Sequence, residues 1–145
     1  MRGRKTTGGG AMKWFARQKP SDVWDEPIQW PIGDIEAADR IRNICQSASA
    51  SAEWVGGLAA RADHGRKSAE KQRKHENERY ERAARAAMEI AMKISDGLMR
   101  DDAVRRIVDL CMKANDVKTA QILYRAIQAS WIREAAQKDY PALVQ

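Results

Sequence analysis

Residues 80–98 read YERAARAAMEIAMKISDGL, and their spacing decides the fold. Tyr80, Ala83, Ala87, Ile90 and Ile94 alternate steps of three and four, and Leu98 continues the row. Side chains at that spacing line one face of an α-helix and need a neighbour to cover them. The stretch is therefore a packing seam, and a bundle is the simplest structure that satisfies it.

Reading downstream, Ser95-Asp96-Gly97 interrupts the pattern, and Asp101 or Asp102 is expected to cap a fresh helix carrying Val104, Ile107, Cys111 and Ala114. Asn115-Asp116 marks a tight turn. A further helix is expected to carry Val117, Ala120, Tyr124, Ile127 and Trp131 on one continuous seam, until Pro141 ends the regular structure. Three seams joined by short connections predict antiparallel neighbours. The segment from Ala103 to Gln128 resembles one helix-turn-helix hairpin of the tetratricopeptide kind, with Ala120, Tyr124 and Ile127 at the small, aromatic and apolar places. Val108 stands where that family wants a small residue, and no second copy follows at a period near 34 residues. The segment is read as an ordinary helical hairpin.

Reading upstream, residues 67–79 extend the same helical stretch, but Ala69 is the only apolar residue between Gly65 and Arg79. That half is expected to stay out of the hydrophobic core, supported by spaced pairs such as Glu70 with Lys74, Glu78 with Arg82 and Glu81 with Arg85. An earlier helix is expected from an Asp34 cap through Ile35, Ala38, Ile41 and Cys45 to about Gln46. Ser47-Ala48-Ser49-Ala50-Ser51 reads as a loop or weak helical bridge, followed by a short helix with Trp54, Leu58 and Ala62. Gly56 and Gly57 weaken that last segment, because glycine costs about 1 kcal/mol relative to alanine within a helix. The fold expected from these patterns is all-α: a small antiparallel bundle of about four to five helices over residues 34–145, preceded by an extended, flexible N-terminal arm at 1–33.

The chain has 145 residues, 43% apolar and 32% charged, with a mean hydropathy of -0.66. This is the profile of one well-solvated folded domain. No apolar run approaches the roughly 20 residues that span a bilayer, so no membrane partner is expected. Cys45 and Cys111 stand apart without metal-ligand spacing and read as reduced thiols, which places the chain in a reducing compartment, taken as the cytoplasm. His64 and His75 are too far apart to share a metal on one helix face.

The formal net charge of +6 is unevenly placed. Residues 1–20 hold Arg2, Arg4, Lys5, Lys13, Arg17 and Lys19 and no acid, whereas residues 21–145 hold twenty basic and twenty acidic side chains. The net charge thus resides entirely in the arm. Arg2-Gly3-Arg4-Lys5 resembles the minor-groove hook in which two arginines flank a glycine, although Lys5 replaces the usual following proline. A general phosphate-contacting tail is the broader reading. Trp14 and Phe15, set among Lys13, Arg17 and Lys19, suit stacking on unpaired bases with cations on phosphate. Trp24 and Trp30 stand among Asp22, Asp25 and Glu26, an acidic setting that favours folding back on the bundle or docking on a protein partner. The acid-free N-terminus also resembles an organellar targeting segment, which its prolines and three successive glycines disfavour. The basic run Arg66, Lys67, Lys71, Arg73 and Lys74 is interleaved with Glu70, Glu76 and Glu78 and reads as a solvated helix face.

No phosphate-binding glycine loop, dinucleotide fingerprint, zinc spacing or nucleophile elbow occurs, so neither cofactor nor catalytic residue is expected. The sequence therefore points to a non-enzymatic helical binding protein of a nucleic-acid-associated assembly. The other reading is a protein-only adaptor that self-associates or docks through its tryptophans.

Overall fold

The computed structural model describes residues 22–57 and 66–145, and these form an all-helical bundle with no strand among them. The helices are α1 (Asp34–Val55), α2 (Arg66–Ala91), α3 (Gly97–Lys113), α4 (Val117–Ala126) and α5 (Ser130–Asp139), with short 3-10 turns at Val23–Asp25 and Pro141–Val144. The main contacts are α1 with α2, α1 with α3, and α3 with α4, while α2 also meets α3.

The seam of residues 80–94 packs as its spacing requires: Tyr80, Ala83, Ala87, Ile90 and Ile94 are all buried. Leu98 departs from it and is 55% exposed, because the break at Ser95 starts a new helix with a new phase. The cap of α3 is Asp96, whose carboxylate accepts the amide of Met99 at 2.9 Å. Asp101 and Asp102 lie inside α3 and cap nothing at its start.

Residues 47–51, expected as a bridge, belong to one continuous α1. The buried row is Ala37, Ile41, Ile44, Ala48, Ser51 and Ala52, displaced from the expected one, so Ile35 is 75% exposed and Cys45 only partly covered. Small residues on α1 meet the alanines of α2, and close packing outweighs the weak helix propensity of serine. Asp34 is the first residue of α1 rather than its cap. Its carboxylate accepts the amides of Ser95 and Asp96 at 2.9 and 3.0 Å, tying the start of α1 to the α2–α3 connection. Trp54 lies in the last turn of α1, and Leu58 and Ala62 lie outside the described residues.

The Asn115-Asp116 turn forms as expected. Asn115 adopts φ 60°, a conformation asparagine tolerates better than most residues, and the amide of Asp116 returns to the Cys111 carbonyl at 2.8 Å. The Asp116 carboxylate then accepts the amide of Thr119 and the Tyr80 hydroxyl, the latter at 2.7 Å.

The last seam is split. Ile127 is extended, and α5 restarts with Ile132 and Ala136 facing inward. Trp131, expected on the seam, is consequently 64% exposed. Two amides released at the break, those of Gln128 and Ala129, donate to Asp101 at 3.2 and 2.8 Å.

Candidate functional site

The segment that follows the charged N-terminus in the chain, residues 22–32, forms a strap. Its 3-10 turn packs on both α1 and α2 and buries Trp24, which is 6% exposed. Two acids and an aromatic in the local sequence Asp22-Val23-Trp24-Asp25 meet cations from helices distant in sequence. Arg79 donates to Asp22 at 2.9 Å and lies over the Trp24 ring, 5.2 Å from its centroid. Arg82 lies 3.5 Å from Asp22 and from Asp25. Arg40 of α1 donates to the carbonyls of Glu26 and Pro27 at 3.0 and 3.4 Å.

Beneath this clamp lies a buried polar cluster. Ser51 donates to Glu76 at 2.6 Å, Gln72 donates to its other oxygen at 2.6 Å, and Arg79 approaches both Glu76 and Ser51 at 3.3 Å. Glu76 is only 7% exposed, so a side chain from the polar half of α2 does enter the interior. It is tolerated because each carboxylate oxygen has a donor. The Arg79 pKa is raised, chiefly by its hydrogen bond to Asp22. The clamp pairs are partly solvated, so each contributes under about 1 kcal/mol on its own, and the strap is held by their combination with Trp24 burial.

The pairs expected along α2 do not form. Arg82 turns to the strap carboxylates instead of Glu78, and neither Glu70 with Lys74 nor Glu81 with Arg85 lies within ion-pair distance among the described residues. Long exposed side chains lose more entropy on pairing than a screened contact returns.

Trp24 is thus packed within its own chain, while Trp30 is 46% exposed beside Arg82 and Arg85 on a groove that also includes Ile28 and Ala86. The residues expected to contact nucleic acid, Arg2, Arg4, Lys5, Lys13, Trp14, Phe15, Arg17 and Lys19, lie outside the described residues. Sequence reading did not find the clamp, since Asp22 and Arg79 are 57 positions apart. It also placed Trp131 inside, where a helix break puts it outside.

Both thiols are poor nucleophile candidates. Burial raises the Cys45 pKa to about 12 and that of Cys111 to about 11, leaving little thiolate at neutral pH. Burial likewise raises the Tyr80 phenol. Among the described residues there is no group of three or more potential metal ligands, and no helix is long and apolar enough to cross a membrane.

Fold and surface together define a small helical bundle carrying a clamped strap. Compared with protein-family models, curated proteins and solved structures, the chain matches none of them.

Proposed function

We propose that this is a non-enzymatic helical binding protein of a nucleic-acid-associated assembly, in which the basic N-terminal segment contacts phosphate and the bundle contacts protein. The observation that carries this reading is charge segregation: the first 20 residues hold six cations and no acid, while the remainder is balanced. A segment of that composition gains affinity for polyanions by releasing condensed counterions, with no requirement for a formed pocket. The strap supports the reading because it fixes the root of the basic segment to two helices.

Removing residues 1–12 deletes Arg2, Arg4 and Lys5. A gel shift with a single-stranded oligonucleotide at two salt concentrations is expected to show weaker binding and a shallower salt dependence, by about two units of slope for three phosphate contacts. Unchanged binding would remove the role given to the arm.

A protein-only adaptor is favoured by one separate observation, the exposure of Trp131, Trp30 and Ile35. Tryptophan is enriched at the anchoring positions of protein interfaces. On this second reading the chain ignores nucleic acid even at low salt, and sedimentation velocity shows a mass that rises with concentration and falls back in Trp131→Ala. A concentration-independent monomer counts against self-association.

A further inference from the structure

We propose that the outer face formed by α1 and α3 is the contact between two copies of this chain, packed antiparallel about a twofold axis that crosses both helices. This face gives the bundle's protein contact a definite partner, and it requires neither phosphate binding by the N-terminal segment nor Trp131.

The register of the two helices defines the face. Asp34 accepts the amides of Ser95 and Asp96, so α1 and α3 start together, and Gly56 lies against the Lys113 carbonyl, so they end together. They run parallel and side by side. Ile35, Asp39 and Arg42 follow one another on one face of α1 at steps of four and three, and Leu98, Asp102 and Arg106 do so on α3 at steps of four. Each helix thus presents the same order: an apolar side chain, then an acid, then an arginine. Arg42 holds Asp39 at 2.6 Å and Arg106 holds Asp102 at 3.3 Å, and in both pairs the arginine is 41% and the acid 60% exposed, so the two rows reach solvent equally. The strap leaves this face open, because Arg40, which binds it, stands two positions from Arg42 and so on the far side of α1.

Further along the same face lies a cleft of about 330 Å³ that, among the described residues, α1 and α3 alone line. Arg42 and Arg106 border it, and Cys45 and the buried Leu110 lie between the two helices deeper along it. The remaining charged groups of its wall are engaged within the chain: Asp109 pairs with Arg105 at 3.0 Å, and Lys113 donates to Ser49 at 2.7 Å. An apolar side chain can therefore enter without stranding a charge. Ile35 and Leu98 are such side chains, both more than half exposed at the opposite end of the face.

The order of side chains makes the face complementary to itself, as a twofold contact requires. An axis midway between the acid and arginine levels sets Asp39 opposite the second copy's Arg42, and Asp102 opposite the second copy's Arg106. About the same axis position 35 faces position 46 on α1, and position 98 faces position 110 on α3. Ile35 and Leu98 of each copy thus arrive at the cleft of the other, beside Gln46 and Leu110. A parallel approach would instead set acid on acid and arginine on arginine, which repel. The ion pairs within each helix are exposed and weak, so each arginine can bridge its own acid and that of the second copy.

The test is sedimentation velocity on the full chain from about 1 to about 300 µM, a range that brackets a weak specific interface. The unaltered chain is expected to rise to the mass of a dimer. Arg42→Glu with Arg106→Glu makes the rows wholly acidic, and Asp39→Arg with Asp102→Arg makes them wholly basic. Each double variant alone is expected to dimerise at least about tenfold more weakly, and an equimolar mixture of the two to form a dimer again. Ile35→Asp, at a position 75% exposed, is expected to keep the wild-type melting temperature and to remain monomeric. A monomeric unaltered chain at every concentration would overturn the inference. So would a dimer that survives both charge variants, or a mixture that stays monomeric. Dimerisation lost in Trp131→Ala but intact in the charge variants would overturn it in favour of the Trp131 surface. None of these outcomes bears on oligonucleotide binding by the N-terminal segment, so the two readings fail separately.

Discussion

Replacing Asp101 with alanine is expected to remove about 3 kcal/mol of folding stability, seen as a fall of about 2 M in the urea midpoint. Asp101 is 3% exposed, and one of its oxygens accepts both Gln128 and Ala129 amides. Those amides belong to the extended link between α4 and α5, where helix hydrogen bonding has lapsed. Hydrogen bonds to a charged acceptor contribute about 1.5–3 kcal/mol each, and alanine would leave two donors without that acceptor. The carboxylate is tolerated there because one of its oxygens accepts two backbone donors. Its other oxygen has no partner among the described residues. Asp101→Asn keeps an acceptor and loses the charge, so about half the destabilisation is expected. An alanine variant with the wild-type midpoint would show that the α4–α5 break is held by packing of Ile127 and Ile132 alone.

Gly56→Ala is expected to cost about 2–3 kcal/mol, lowering the thermal midpoint by about 10 °C. Gly56 ends α1 where it passes closest to the end of α3. A β-carbon there would stand 2.2 Å from the Lys113 carbonyl oxygen, which is backbone and cannot rotate away. The two helix ends must separate, opening the contact that buries Ala52 and Ala114. Gly57 meets a different demand: its φ of +99° strains any other residue, and the Arg73 guanidinium lies 3.8 Å from where a β-carbon would stand. A smaller loss of about 1 kcal/mol is expected for Gly57→Ala. Gly33 has nothing among the described residues within 4 Å of an added β-carbon and serves as the control, with a change under about 1 kcal/mol. Equal melting of the Gly56 and Gly33 variants would refute the close-approach argument.

Much of the fold is legible in the amino-acid sequence, because burial obeys local periodicity. Tyr80 to Ile94 and Val104 to Ala114 fall on their expected faces, and Asn115 turns where a residue tolerant of positive φ stands. The candidate site is less legible. The charge of residues 1–20 is a matter of counting, but the strap depends on Arg79 and Arg40 meeting a segment that pattern alone treats as a free extension.

The misread elements share a cause. Residues 47–51 remain helical because Ala48 and Ser51 are buried in the bundle, Ser51 against α2, and Ser49 accepts Lys113 of α3, while Trp131 leaves the seam because Asp101 binds the amides of a broken turn. Glu76 turns inward because Ser51, Gln72 and Arg79 converge on it. Helix spacing and charge segregation are properties of neighbouring residues and follow from local chemistry. Which cations are consumed internally and which remain for a partner depends on pairs tens of residues apart, and only tertiary packing brings those together.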